Sequence, residues 1–139
     1  MSKKNKIRVG VIGLGPVGMI LAVKLQEAGC EVALCEVNEV KANKIKTEGL
    51  ILENVIQQKA KFDKVHTSIA ELEGWDADYL FFALKSNQTA IAVTQSQILN
   101  TEKLTVISAQ NGIDVEQLLV AGFGENKTMR FVVNFAGNS

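Results

Sequence analysis

The stretch VGVIGLGPVG, from Val9 to Gly18, joins an apolar run to a cluster of closely spaced glycines. Its apolar part belongs to a run over 7–12 that predicts a buried β-strand ending at glycine. The apolar residues after Pro16 recur at helical spacing as far as residue 28, and proline suits the first turn of a helix. The stretch therefore predicts a strand, a glycine-rich turn and a helix in direct succession.

The rest of the chain continues this alternation of strands and helices. Further strands are predicted over 31–35, 79–84, 104–109 and 128–135, with small strands within 50–62. Helices are predicted over 38–46, 87–99 and 114–122, with a short helix over 68–74. Such alternation favours a doubly wound, mostly parallel α/β sheet with helices on both faces, a domain of the Rossmann type. Residues 1–139 have the length of one ordinary domain.

The composition argues against several classes of function. The 15 basic residues balance 15 acidic ones, and a formal net charge of zero argues against nucleic acid or an anionic membrane surface as a partner. No apolar run approaches the roughly 20 residues that span a bilayer, so we expect no membrane association and a cytoplasmic location. The two cysteines, Cys30 and Cys35, and the single histidine favour reduced packing residues over a disulfide or a metal site.

The three glycines of the opening stretch match the pattern G-x-G-x-x-G between a predicted strand and a predicted helix. In a dinucleotide site the first glycine permits the sharp turn, the second lets the backbone approach a pyrophosphate, and the third lets helix and strand pack closely. The helix also points free amides and its positive dipole end at the phosphate charge. This setting favours a dinucleotide over an S-adenosylmethionine site or turn glycines without a ligand. The predicted cofactor-binding residues of this loop are Gly13, Leu14, Gly15, Pro16, Val17 and Gly18.

Glu36 follows the second predicted strand, at about the distance past the glycines where an acidic residue accepts the ribose hydroxyls of NAD. The same carboxylate would repel the 2′-phosphate of NADP, and the next position holds Val37 rather than an arginine. Lys41 and Lys44 lie one or two helical turns further on and could reach back. The alternative for Glu36 is a loop carboxylate in solvent. We interpret Glu36 as a cofactor-binding residue that gives a preference for NAD over NADP.

Two further stretches follow predicted strands. In ALKSNQT, 83–89, Lys85 interrupts an apolar run, and SAQNGID, 108–114, contains Asn111 before a glycine. Taken alone, Lys85 indicates a strand-end lysine in solvent and Asn111 indicates a turn. Together they bring Lys85, Gln88 and Asn111 to the sheet edge of the glycine loop, which faces the cofactor in a doubly wound sheet. These three residues complete the predicted cofactor site.

The motifs GLGPVG, LKSNQT and AQNGIDVEQL, in this order and spacing, resemble the amino-terminal domain of ketopantoate reductases (2-dehydropantoate 2-reductases). The resemblance covers essentially the whole chain, and the lysine motif followed by the Asn-Gly motif is its specific part. It implies an oxidoreductase that reduces 2-dehydropantoate to pantoate with NADPH, on the route to pantothenate. It also implies supporting catalytic roles for Lys85, near the nicotinamide, and for Asn111, against substrate, cofactor or both.

Two departures from the family pattern carry expectations of their own. Family members have an arginine after the second strand for the NADP phosphate, whereas Glu36 and Val37 stand here, so the resemblance favours NADP and Glu36 favours NAD. The family also has a second, helical domain with a catalytic lysine that no residue of this sequence matches. We therefore expect the chain to bind the dinucleotide and to reduce a small 2-oxo acid only when a second domain is supplied. Without that domain, an apolar face on Phe131, Val133 and Phe135 would favour a homo-oligomer, although these residues also suit a core.

Two other functions stay open at this point. One is a free-standing nucleotide-sensing module that gates a partner, as in the regulatory domains of potassium transport systems, which are similarly short. The motifs around Lys85 and Asn111 speak against it. The other is the dinucleotide domain of a related dehydrogenase that acts on another 2-oxo or hydroxy acid.

Overall fold

The computed structural model describes residues 6–52, 58–109 and 113–130. Its strands are β1 Arg8–Ile12, β2 Glu31–Cys35, β3 Leu50–Leu52, β4 Gln58–Ala60, β5 Lys64–His66, β6 Tyr79–Phe82, β7 Thr105–Ser108 and β8 Thr128–Arg130. Its helices are α1 Pro16–Glu27, α2 Glu39–Glu48, α3 Ser86–Gln95 and α4 Ile113–Phe123. Short 3₁₀ turns stand at Ile69–Leu72, Ser96–Leu99 and Glu125–Lys127.

Six strands form one sheet in the order β5-β2-β1-β6-β7-β8. The chain begins in the middle with β1, moves outward through β2 to β5, and then crosses to β6 on the other side of β1. Every pairing between neighbours in this sheet is parallel. The predicted doubly wound, mostly parallel α/β sheet is thus confirmed. Strands β3 and β4 pair separately as a two-stranded antiparallel sheet.

Helices cover both faces of the sheet. Successive strand residues point to opposite sides, so neighbouring residues of one strand pack against different helices. In β1, Val9 and Val11 pack in the cluster that contains buried residues of α1 and α2. The side chain of Ile12 packs in the other cluster, with buried residues of α3 and α4. Strands buried on both faces must be apolar along their length, which explains why the central strands stood out as continuous apolar runs.

Three local features differ from the sequence prediction. The helix predicted over 87–99 leaves α-geometry after Gln95, because the buried Ser96 hydroxyl donates to the Val93 carbonyl at 3.0 Å and competes with the backbone ladder. The helix predicted over 68–74 is a 3₁₀ turn over Ile69–Leu72, and the Glu71 carboxylate lies within hydrogen-bond distance of His66 Nδ1, at 2.9 Å. Strand β5 was not predicted.

Within the described ranges, no helix has both the length and the apolar character needed to cross a membrane. The same ranges hold no group of three or more His, Cys, Asp or Glu side chains that could bind a metal ion. Cys30 and Cys35 are free thiols. Phe131, Val133 and Phe135, the residues of the predicted apolar face, lie outside the described residues.

Candidate functional site

A cavity of about 490 Å³ opens at the carboxyl ends of β1, β2 and β6. It lies where the strand order reverses between β1 and β6, which is the usual ligand position in doubly wound sheets. Its walls are residues 12–17 after β1, 35–37 at the end of β2 and 83–85 after β6, with Ile69 and one face of α3. The loop with the glycine motif and the end of β2 therefore share one cavity.

The three motif glycines meet three different surroundings. Gly13 has a φ of +95°, a conformation that favours glycine, and a Cβ there would lie 2.9 Å from the Ala83 carbonyl oxygen. A Cβ at Gly18 would lie 2.0 Å from the Gly13 carbonyl oxygen, so helix α1 rests directly on the loop. Gly15 lines the cavity, and a Cβ there would meet no protein atom within 4 Å. The loop thus leaves open space beside the backbone at Gly15, the glycine predicted to face a pyrophosphate.

The start of α1 is suited to an anion. Gly15 is the residue that caps this 12-residue helix, it has no side chain to occupy the first-turn amides, and the first turn carries no acidic residue. Pro16 follows as the first helical residue and is exposed, whereas the Leu14 side chain is buried in the core. The free amides and the helix dipole at this end are therefore available to a negatively charged group.

The Glu36 carboxylate lies in the cavity wall, where it is largely buried and hydrogen-bonded. Its side chain is 12% exposed. Oε2 accepts a hydrogen bond from the Asn38 backbone amide at 3.0 Å, and Oε1 lies 3.8 Å from Lys41 Nζ. The Lys41 ammonium also donates to the carbonyl oxygen of Leu14 in the glycine loop. Of the two lysines that the sequence offered, Lys41 thus reaches back to Glu36, and Lys44 is exposed on the same helix.

Cys35 lies beside Glu36 on the cavity wall and is 2% exposed. Burial raises the pKa of its thiol to about 12, and the charges of Glu36 and Glu71 add to the rise. The thiol is therefore neutral at physiological pH and lacks the thiolate that reacts as a nucleophile.

We expect this burial to make the two cysteines differ in reactivity. At pH 8 a disulfide reagent such as DTNB should modify the half-buried Cys30 of the folded chain, and Cys35 should react only after unfolding in guanidinium. Counting the thiols released with and without denaturant measures this. Rapid reaction of both thiols in the native chain would contradict the described burial of Cys35.

Lys85 and Gln88 line the same cavity from the side of α3. Lys85 precedes the first residue of α3, its backbone carbonyl accepts the amide of Gln88 at 2.9 Å, and its side chain is exposed. Asn111 lies outside the described residues. The structure thus brings Lys85 and Gln88 together with the glycine loop and Glu36, and the roles assigned to all of these residues stay predictions.

Sequence reasoning missed the apolar part of this wall. Ile91 lines the cavity although its side chain is 62% exposed, and Gln95 lies one turn further along the same helix face. The spacing of Gln88, Ile91 and Gln95 places them on one side of a helix. The position of Ile91 on the same helix face as Gln88 could therefore have indicated that it lines the cavity.

A glycine-rich loop leading into a helix, a held carboxylate after the second strand, and a cavity at the reversal of strand order define a dehydrogenase-type nucleotide-binding domain of the Rossmann class. Comparison with known proteins gives the family within that class. The model of the family described as ketopantoate reductase PanE/ApbA matches residues 9–139. The chain belongs to this family, as the resemblance predicted.

Solved structures share the fold. D-mandelate dehydrogenase with NADH and anilino(oxo)acetate has a TM-score of 0.77 at 23% identity, over 88% of this chain and 40% of that one. A PanE/ApbA family ketopantoate reductase from Ralstonia eutropha JMP134 has a TM-score of 0.74 at 25% identity, over 89% and 40%. The 2-dehydropantoate 2-reductase from Methylococcus capsulatus has a TM-score of 0.71 at 23% identity, over 91% and 42%. The chain therefore spans about two fifths of the length of these proteins, and among curated proteins none matches it significantly.

Proposed function

We propose that this chain is the cofactor-binding domain of a reductase that passes a hydride from a nicotinamide dinucleotide to a small 2-oxo acid, with 2-dehydropantoate as substrate and pantoate as product. The observation that carries the proposal is the open space at Gly15, at a helix start with no side-chain cap, in a cavity that the Glu36 carboxylate also lines. Membership of the ketopantoate reductase family supports it, as does the likeness to a dehydrogenase structure that contains NADH.

Each wall of the cavity has a role in this proposal. The first-turn amides of α1 bind the pyrophosphate, and Glu36 accepts hydrogen bonds from the ribose hydroxyls. The open apolar surfaces of Val37 and Ile91 offer contact for the adenine ring. The bound cofactor supplies the hydride. Lys85 and Asn111 support the reaction at the nicotinamide end, where a positive charge or an amide donor stabilises the oxygen that becomes negative.

Reduction of the oxo acid needs more than cofactor binding. A proton donor must serve the forming alkoxide, and the site must exclude water. We assign these tasks to a second, helical domain, as the family resemblance implies, and we place the reaction in the cytoplasm on the route to pantothenate. A homo-oligomer belongs to the same proposal.

A second candidate is the cofactor domain of a related hydroxy-acid dehydrogenase that uses NADH. The held carboxylate of Glu36 favours it, because this group suits the free ribose hydroxyls of NAD. The structural likeness to D-mandelate dehydrogenase supports it as well. The two candidates share the cofactor cavity and differ in the oxo acid.

The cofactor preference is directly testable. We expect NADH to bind about tenfold more tightly than NADPH, because the Glu36 carboxylate repels the 2′-phosphate that only NADPH carries. Titration of the chain with each nucleotide, followed by nicotinamide fluorescence, gives both dissociation constants. The variant Glu36→Gln should bring the two constants closer together. Tighter binding of NADPH would overturn the NAD preference, and absence of binding by both nucleotides would overturn the proposed function.

A further inference from the structure

Lys41 lies on α2, behind the cavity wall, and contacts two residues that line the cavity, Leu14 and Glu36. Its backbone amide donates to the Asn38 side chain at 3.0 Å, which places it in the first turn of α2. From there its side chain runs back to the glycine loop, where Nζ donates to the Leu14 carbonyl oxygen. The same Nζ lies 3.8 Å from Glu36 Oε1. One ammonium group thus links α2, the glycine loop and the carboxylate after β2.

The two partners of this ion pair differ in how far their side chains are exposed. Glu36 is 12% exposed and fixed by the Asn38 amide, so its charge stays in the wall of the cavity. Lys41 is 40% exposed and carries its charge on a flexible four-carbon stem, so it can turn toward a ligand beside Glu36 without leaving its helix. The Glu36 carboxylate repels an anion at the ribose end of the cavity, and the Lys41 ammonium attracts one.

The difference between the two nicotinamide dinucleotides lies at that place. NAD has a neutral ribose hydroxyl where NADP has a phosphate. Repulsion by Glu36 and attraction by Lys41 therefore act mainly on NADP, and they act in opposite directions. No arginine stands after Glu36, since the next residue is the exposed Val37.

We infer that Lys41 is a specificity-determining residue that reduces the penalty set by Glu36 against a 2′-phosphorylated dinucleotide, and so keeps NADPH usable by this cavity. The inference rests on the proposed dinucleotide function. It assigns the acceptance of NADPH beside NADH to a residue of α2. That residue lies outside the glycine loop and the end of the second strand, where cofactor preference is usually determined.

The test compares Lys41→Met with Lys44→Met, a matched control on the exposed side of the same helix. Methionine keeps the length of the stem and removes the charge. We expect Lys41→Met to weaken NADPH binding by about tenfold and NADH binding by about twofold or less, and the control to change neither. Lys41→Arg should restore NADPH binding, because it returns a cation to the same stem position.

The outcomes separate a specificity role from a structural one. If Lys41 only fastened the glycine loop, its removal would weaken both nucleotides by the same factor, and that result would overturn the inference. Unchanged NADPH binding in the variant would overturn it too. Should Lys41→Met fail to fold in thermal unfolding, Lys41→Gln gives the same comparison with a polar, uncharged side chain. Failure of the unmodified chain to bind either nucleotide is a separate result, which overturns the proposed function itself.

Discussion

Replacement of Gly15 by alanine is expected to weaken dinucleotide binding by about 100-fold without destabilising the fold. The backbone at Gly15 has a φ of −74° and a ψ of −170°, an extended conformation that alanine adopts freely. Its Cβ would meet no protein atom within 4 Å. The methyl group would instead stand between the phosphate oxygens and the amides of α1, where each charge-assisted hydrogen bond contributes roughly 1.5–3 kcal/mol. Titration with NADH measures the loss.

The same variant should keep or slightly raise the free energy of unfolding. Alanine restricts the unfolded chain more than glycine does, which stabilises a protein by about 0.5 kcal/mol where the native conformation is compatible. Denaturant unfolding of the two chains checks this point. Full NADH binding by Gly15→Ala would show that the pyrophosphate lies elsewhere, and a large loss of stability would contradict the open space described at this glycine.

Alanine at Gly18 should lower the stability of the fold, in contrast to alanine at Gly15. The added Cβ would lie 2.0 Å from the Gly13 carbonyl oxygen, and this neighbour is backbone, so α1 must move away from the loop. Overpacking of this kind costs about 3 kcal/mol, and for a chain of this length that lowers the melting temperature by about 10 °C. Thermal unfolding followed by circular dichroism, with Gly15→Ala as the control in the same loop, gives the difference.

A small effect at Gly18 would be informative. If Gly18→Ala melted within about 2 °C of the unmodified chain, the close packing of α1 on the loop would be wrong. The pair of variants thus separates the two reasons for a glycine in this motif, since one position serves the ligand and the other serves the fold.

The elements that could be predicted are those in which local preference and tertiary burial agree. Strand β2 has its predicted bounds, and α1 begins at Pro16 as predicted, because a fully buried strand and a proline-initiated helix both leave a clear pattern. Strand β5 was missed because it has only three residues, of which Val65 alone is buried. One apolar residue between two polar ones has no usable periodicity.

The residues of the candidate site also fall into those that the sequence could predict and those that it could not. The glycine loop and Glu36 could be found because their spacing follows from the geometry of one strand, one turn and one helix. The contact of Lys41 with Leu14 could not, since sequence spacing places a Cα and leaves the direction of a long, flexible side chain open. Ile91 was missed for a different reason. Its residue type alone does not distinguish an apolar side chain at a ligand cavity from one in the core, and only its place on the helix face of Gln88 pointed to the cavity.

The strand order also has a consequence for how the molecule holds together. Arg8 in β1 bonds to Glu31, 23 residues later, and to Asp78, 70 residues later, so the two seams beside this strand close loops of very different length. Pairing of β1 with β6 closes the longer loop, so its entropy cost on folding is larger. The cavity spans the ends of these two strands, with the glycine loop after β1 on one side and residues 83–85 after β6 on the other. A ligand at one hundred times its dissociation constant would add about 2.7 kcal/mol to the folded state. It would therefore offset part of the entropy cost of pairing the two strands that lie furthest apart in sequence beside β1.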